Sequence, residues 1–314
     1  MKTTHHQDLD KPWSAITLGC WQLARSGGWG DLCTPKDAEA VIKNALDCGI
    51  TAFDTAEGYG DGESEKRLGE ALGSKKDEVI IVSKVWPDAA LTLEGYQERL
   101  DGTLKALDRD YVDVYLIHWP GEHFNTKDKN KKLHDIMQAL KYSGKARLIG
   151  LSNFRSENLE RLGEGLADFS VNEIPYSLLE REYEGKSLDV CLKHNIPYMA
   201  YSPTAKGLLA RRLEPEELEY PTRRDDQLYQ PPLYHRALRV FEVVEAIARE
   251  TGRKPIEVSL AWVLAQKNIL TALVGTRKPE QVAEFVKAYD LSLDQNQMVR
   301  LEAVSDAFMD MKDR

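Results

Sequence analysis

A (β/α)8 barrel (the TIM-barrel architecture), with an extra loop after its seventh strand and a C-terminal helix beyond its eighth, is the fold this sequence predicts. Three observations predict it. Short apolar runs alternate with helical patterns about eight times, which requires parallel strands joined by helical crossovers. The 314 residues supply the roughly 250 that such a barrel takes, as one domain over 1–314. Charged and aromatic residues stand at or just past the ends of successive strands, where parallel α/β folds build their sites.

The expected strands are 15–19, 51–54, 78–84, 112–118, 146–151, 170–174, 197–201 and 270–274. Each is a short apolar run, and several are rich in β-branched residues. Thr34-Pro35 opens the first helix, which stops at Gly49 after Cys48. Ala38, Val41, Ile42, Ala45 and Leu46 recur there at i, i+3, i+4, i+7 and i+8, one face of a helix. A second helix runs Glu63–Leu72 and is closed by Gly73; a third covers 92–107. Further helices are expected near 131–142, 156–166 and 185–194. Residues 211–233 are Pro-rich, charged and aperiodic, hence a loop. It follows strand seven on the face where a barrel keeps its site, and it reads equally as a passive insertion. Residues 294–309 form an amphipathic C-terminal helix.

Composition narrows the function. The balance of 51 acidic against 42 basic residues argues against a nucleic-acid partner. No apolar run approaches the ~20 residues needed to span a bilayer, so no membrane partner is expected. The polar start, Met-Lys-Thr-Thr-His-His-Gln, lacks the apolar core of a signal peptide. Cys20, Cys33, Cys48 and Cys191 show no Cys-x-x-Cys spacing and read as reduced thiols, small buried apolar residues in the simplest case. These features point to a cytoplasmic protein; they say nothing of its oligomeric state.

The chemistry-bearing residues gather at strand ends. Lys84 closes the run Glu78-Val-Ile-Ile-Val-Ser-Lys84, and an ammonium there is costly to bury unless paired. Asp54, at the end of 51–54, is the candidate partner. Alone, that pair is as well explained by charge cancellation. Tyr59 shifts the balance, because it sits in a Gly-flanked turn just beyond Asp54. A nearby ammonium lowers a phenol's pKa from its ordinary ~10 and makes it a proton donor near neutral pH. His118 ends an alternating strand and should face the barrel mouth, although a lone histidine is more often a satisfied core residue. No second ligand stands at metal spacing with it, so no metal is expected.

Trp21, Trp29, Trp86 and Trp119 follow strand ends and read as walls of a substrate pocket with Tyr59 and His118, or as cap packing. Ser152 and Asn153 follow the fifth strand and would hold an amide or cap a helix. Gly275, Thr276, Arg277 and Lys278 lead from strand eight into a helix near Pro279, a phosphate site or a solvated basic turn. No Gly-x-Gly-x-x-Gly follows a strand, so a Rossmann site is unsupported.

The chain resembles the aldo-keto reductases over nearly its whole length. The motifs are Gly19-Cys20-Trp21, Phe53-Asp-Thr-Ala-Glu-Gly-Tyr-Gly60, Ser64-Glu-Lys-Arg-Leu-Gly69, Ser83-Lys84, Leu116-Ile-His-Trp-Pro120, Gly150-Leu-Ser-Asn-Phe154, Tyr176-Ser-Leu-Leu-Glu-Arg181, Ala200-Tyr-Ser-Pro203 and Gly275-Thr276. Among branches it looks most like bacterial and plant members related to potassium-channel β subunits. The resemblance implies a barrel that binds NADP; Arg277 and Lys278, ahead of the helix N-terminus near Pro279, predict that NADPH is preferred over NADH. It assigns Asp54, Tyr59, Lys84 and His118 to the catalytic tetrad. It implies cofactor contacts from Gly19, Cys20, Trp21 and Asp54, and a nicotinamide site at Ser152, Asn153, Glu173 and Tyr201. Ser202, Pro203, Lys206, Gly207 and Leu208 would line the pyrophosphate. Gly275, Thr276, Arg277, Lys278, Gln281, Glu284 and Phe285 would hold the adenosine half. Glu173 replaces a usual glutamine, Phe285 a usual asparagine and Thr204 a common leucine.

The expected function is therefore NAD(P)H-dependent reduction of a small aldehyde or ketone, with Tyr59 as proton donor. Two other classes stay open: a nicotinamide-binding redox sensor with slow turnover, and a Schiff-base aldolase using Lys84 as nucleophile.

Overall fold

Eight parallel strands close into a barrel in the computed structural model, which describes residues 2–4, 6, 9–25, 28–29 and 33–312. Of the polar N-terminal run, Met1, His5 and Gln7 lie outside the described residues. The strands are Ile16–Gly19, Ala52–Asp54, Ile80–Val85, Val112–Ile117, Ala146–Ser152, Asn172–Pro175, Tyr198–Tyr201 and Ile269–Val274. Each pairs with its successor, and the eighth closes on the first. The third begins two residues later than expected, because the Glu78 amide donates to the Lys75 carbonyl (3.0 Å) and holds a turn.

Alternation along each strand divides the core. Ile80, Val82, Val114, Leu116, Leu148, Val171 and Met199 fill the barrel interior. Ile81, Val85, Tyr115, Ile117, Ile149 and Leu151 pack outward against the helices. Lys84 continues the inward parity of Ile80 and Val82, and His118 that of Val114 and Leu116. The strand order thus aims both residues at the barrel axis above its last apolar layer. The other end is plugged. A short antiparallel flap, Thr3–Thr4 with Trp13–Ser14, lays the fully buried Trp13 across it, its indole donating to Thr17 Oγ1 (3.1 Å). Lys11 locks this floor through Asp113 (2.8 Å), itself paired with Arg109 (3.0 Å).

Helices follow their caps. Pro35–Asp47 starts at Thr34, whose hydroxyl accepts from the Asp37 amide (3.2 Å) while Asp37 accepts from the Thr34 amide (3.0 Å). Lys127–Tyr142 begins four residues before the expected 131, because Thr126 caps it ahead of a polar first turn. The helix expected at 156–166 is α-helical only as Ser156–Leu162; Gly163, at φ +57°, turns the rest into a 3-10 segment. Residues 211–233 are more ordered than a loop. They hold one-turn helices Pro215–Leu218 and Pro221–Arg224 and a 3-10 turn Gln227–Tyr229. Proline pre-sets the first turn of both helices, and Arg211 pairs with Glu217 of the first. Two long helices that the sequence reading left without bounds, Leu233–Thr251 and Pro255–Leu264, follow; Gln295–Lys312 closes the chain. Cys20, Cys33 and Cys191 are buried and Cys48 is half-buried, all as free thiols. Among the described residues no helix is long and apolar enough to cross a membrane.

Glu65 ties the second helix to the strand that carries Lys84. Its buried carboxyl accepts from the Ser83 hydroxyl (2.6 Å), and burial raises its pKa from 4.5 to about 7. A folded pKa above the unfolded one stabilises only the protonated state. This contribution is full below about pH 4.5 and is lost as pH rises through about 7. Glu65→Gln is expected to remove that slope; chemical denaturation across this range, with an unchanged slope, would refute the assignment.

Candidate active site

At the open end of the barrel, Lys84 is wholly buried and still finds polar partners. Its ammonium donates to both Asp54 oxygens (2.7 Å each) and to the Thr55 carbonyl (3.0 Å). It lies 3.3 Å from the Tyr59 hydroxyl and 3.4 Å from Glu173 Oε1. These groups come from the second, third and sixth strands and from the turn after the second, which the barrel closure brings together. Against the pull of burial, Asp54 first and Glu173 second raise the Lys84 pKa and keep it charged.

Tyr59 differs from the expectation in one respect. Burial raises its phenol above the ordinary value, and Lys84 offsets only part of that rise. Desolvating a phenolate costs more here than one ammonium returns, so Tyr59 is a neutral O–H throughout the working pH range. The His118 ring meets the Tyr59 ring edge-on at 5.6 Å and the Trp86 ring at 4.9 Å. Burial first, and Lys84 second, hold His118 well below its ordinary pKa. It is a neutral imidazole, and its Nδ1 has no hydrogen-bond partner.

Glu173 completes the cluster. It is 3% exposed, hydrogen-bonded to Asp54, and its Oε2 has no partner. Burial raises both carboxyls. Lys84 lies closer to Asp54, at 2.7 Å against 3.4 Å, so it offsets more of the rise at Asp54 and leaves the Glu173 carboxyl lifted further.

A cleft of about 1030 Å³ opens above these groups and runs to the end of strand eight. It is longer than a small substrate needs and suits an extended dinucleotide. Trp21, Trp29, Trp86 and Trp119 all line it, with Tyr59 and His118. So do Gly19, Asp54, Ser152, Asn153, Glu173, Tyr201, Ser202, Pro203, Lys206 and Gly207 along its middle. Gly275, Thr276, Arg277, Lys278, Gln281, Glu284 and Phe285 line its far end. Three expected residues do not reach it, the first being Leu208, which is 1% exposed and packs in the core beneath. Cys20 is fully buried behind the wall, its amide donating to the Asp54 carbonyl (2.8 Å); it shapes the strand end and touches nothing in the cleft. Lys84 also lies behind the surface, under Tyr59 and Asp54.

Side-chain partners refine the remaining positions. Asn153, at φ +65°, donates to the His118 carbonyl and to Ser152 Oγ (3.0 Å each) and accepts from the Tyr201 hydroxyl (2.8 Å). Its donors are spent on building the site, which leaves the Ser152 hydroxyl proton to meet an amide oxygen. Lys206, expected at a pyrophosphate, lines the cleft while its ammonium donates to Asp226 (2.5 Å) and to the Thr222 carbonyl (3.1 Å). It ties down the segment after strand seven. Arg277 donates to the Trp29 carbonyl (2.9 Å) and stacks over Tyr220 at 5.3 Å. Arg223 stacks over Trp29 at 5.2 Å and donates to the Lys206 carbonyl (2.8 Å). The 211–233 segment therefore crosses the cleft and joins the turns after strands one and eight.

Sequence reasoning missed Arg223, Tyr220, Gln22 and Lys254 as lining residues. The Tyr-Pro step that starts a one-turn helix was a signal for Tyr220; Gln22 and Lys254 carried none. Gly275 shows why the cleft is narrow at the strand ends: a Cβ there would stand 3.1 Å from the Gly19 carbonyl oxygen and 3.3 Å from Gln22. That cradle, the orphaned Glu173 Oε2 and the basic far end suit an amide-bearing, phosphorylated cofactor. Among the described residues no group of three His, Cys, Asp or Glu side chains could hold a metal ion.

Comparison with known proteins agrees with this geometry. Residues 15–306 match the model of the "Aldo/keto reductase family". The aldo-keto reductase YhdN of Bacillus subtilis (strain 168) is 31% identical over 297 residues, 90% of this chain and 87% of that protein. An NADH-specific methylglyoxal reductase of Escherichia coli (strain K12) is 27% identical over 94% of this chain and 95% of its own. The structure of an aldo/keto reductase from Klebsiella pneumoniae, solved with NADP and acetate, superposes with a TM-score of 0.75 at 25% identity, covering 94% and 92% of the two chains.

Proposed function

Since the chain belongs to the aldo/keto reductase family, we propose that it is an NADPH-dependent carbonyl reductase, acting as one domain, that converts aldehydes or ketones to alcohols. The observation that carries this reading is the neutral Tyr59 hydroxyl 3.3 Å from the Lys84 ammonium at the floor of the aromatic cleft. When bound, the cofactor supplies the hydride that reaches the carbonyl carbon. Tyr59 donates its proton to the carbonyl oxygen. Lys84 stabilises the phenolate left behind, and Asp54 keeps Lys84 charged and in place. Neutral His118 orients the carbonyl oxygen toward Tyr59. Trp21, Trp29, Trp86 and Trp119 enclose the substrate and exclude water. Ser152, Glu173 and Tyr201 position the nicotinamide, and Asn153 braces Ser152, Tyr201 and His118. The shared run of motifs supports placement near the bacterial and plant members related to potassium-channel β subunits.

The geometry speaks against the aldolase alternative. A Schiff-base lysine attacks as a neutral amine, whereas Lys84 is buried, doubly bonded to Asp54 and held charged. Multiple turnovers with NADPH across a panel of aldehydes, ketones and sugars test the reductase reading. A single turnover that stops after one cofactor equivalent would identify a redox sensor instead.

The cofactor choice rests on the far end of the cleft. The Klebsiella pneumoniae protein was solved with NADP, while the Escherichia coli relative is NADH-specific, so this chain's own residues must decide. Arg277 and Lys278 line the far end of the cleft and would offer two full positive charges to a 2′-phosphate there. Arg277 must then leave or share its contact with the Trp29 carbonyl. Replacing both by alanine is expected to weaken NADPH far more than NADH, on the order of tenfold or more per lost charge-assisted contact. Fluorescence titration with both cofactors measures this; equal losses would remove the 2′-phosphate role.

A further inference from the structure

We propose that Glu173 is a positioning residue that holds the proton consumed when the cofactor is oxidised, so that the Asp54–Glu173–Lys84 cluster distinguishes NADP+ from NADPH. The inference rests on the reductase reading above.

The charge count comes first. Two carboxyl groups face one ammonium, and all three residues are no more than 3% exposed. Fully ionised, the cluster would bury one uncompensated negative charge, which is far costlier than binding a proton. The other titratable groups facing it bring no second cation. Tyr59 and Tyr201 are neutral phenols, Cys20 is a thiol raised by burial, and His118 is held neutral. The cluster therefore holds one proton. Lys84 engages Asp54 through both oxygens at 2.7 Å and reaches Glu173 only at 3.4 Å. Glu173 lines the cleft, and its Oε2 is buried behind that surface without a hydrogen-bond partner.

Proximity to the reacting atoms follows from Tyr59. A carbonyl oxygen that accepts from Tyr59 places its carbon, and the ring that reduces it, in contact distance of that hydroxyl. Tyr59 lies 3.3 Å from Lys84, and Lys84 lies 3.4 Å from Glu173, so the ring falls within the field of Glu173. The oxidised nicotinamide ring is a cation and the reduced ring is neutral. A cation beside a buried acid favours its ionised form, and by linkage the ionised acid favours the cation to the same extent.

The proton balance closes. A hydride, with its electron pair, goes to the carbonyl carbon, and the Tyr59 proton goes to the oxygen. Lys84 passes a proton to the Tyr59 phenolate and takes the proton of Glu173. The alcohol is formed, Tyr59 and Lys84 are restored, and ionised Glu173 faces the cationic ring. Water returns the proton once the oxidised cofactor leaves.

The test is binding of NADPH and NADP+ to the full chain, followed by fluorescence between about pH 6 and pH 9. The ratio of the NADP+ to the NADPH Kd should fall about tenfold per pH unit over at least one unit, because one proton is exchanged. The 2′-phosphate, with its own pKa of about 6, is common to both cofactors and cancels in the ratio. In Glu173→Gln the ratio should be flat. Infrared difference spectra should show a neutral-carboxyl stretch in the NADPH complex that is missing from the NADP+ complex. That band should vanish in Glu173→Gln, and its absence from the wild type overturns the inference even if the variant does not fold. A flat wild-type ratio, or an equal slope in the variant, overturns it too while the reductase reading stands. Failure to bind either cofactor sinks both.

Discussion

Tyr59→Phe is expected to lower turnover with an aldehyde by roughly 10²–10⁴-fold, the span of general acid catalysis, while the Kd for NADPH stays close to wild type. The change deletes one oxygen and keeps the ring. That ring packs against Trp21 at 6.1 Å and His118 at 5.6 Å, and it lies 5.0 Å from the Lys84 ammonium. A phenyl ring retains all three contacts, including the attraction of the cation to its face. The fold and the cleft should therefore survive, and the loss should fall on the chemical step. Single-turnover mixing of enzyme-bound NADPH with substrate separates that step from binding. Wild-type turnover in the variant would mean that another group gives the proton; His118, held neutral by burial, is the nearest alternative.

Lys84→Met is expected to stop turnover and to destabilise the protein by about 3–5 kcal/mol, the cost of stranding a buried charge. Asp54 would lose both of its 2.7 Å contacts and keep only its hydrogen bond with Glu173. Asp54→Asn alone should destabilise as well, since the only carboxyl left to the Lys84 ammonium would be Glu173, at the longer 3.4 Å. The double variant removes both charges and leaves Glu173 as a neutral acid in an apolar setting. It should recover at least about 1–2 kcal/mol of the summed losses, because the singles each strand the other's partner. Denaturant unfolding of the four proteins gives the coupling. Strictly additive losses would show that the residues stabilise independently, against the geometry.

Much of the site was legible in the chain because its residues carry local signatures. Lys84 and His118 each close an alternating apolar strand, and parity alone aims them inward. Tyr59 sits in a glycine-flanked turn just after Asp54, and Lys84 contacts both. Glu173 was legible as a position and not as a state. Its proton depends on Asp54 and Lys84, which lie on other strands and meet it only through barrel closure. The phenol of Tyr59 is the same case. The ammonium beside it was foreseeable, but the depth of burial that outweighs it was not.

The sequence by itself determined the barrel, the order of its strands and the identity of the groups at its mouth. Periodicity, capping residues and strand-end charges are properties of a few consecutive residues, and they survive without knowledge of the rest of the chain. Only the tertiary structure decided which of those groups face the cleft. Cys20 turned behind the wall, while Lys206 and Arg277 line the cleft with their charges engaged by Asp226 and the Trp29 carbonyl. It also decided that the 211–233 segment crosses the cleft, with Arg223 over Trp29. Such choices depend on partners tens to hundreds of residues away and on how much water each pairing excludes. Desolvation is a property of the packed whole, so no local pattern encodes it.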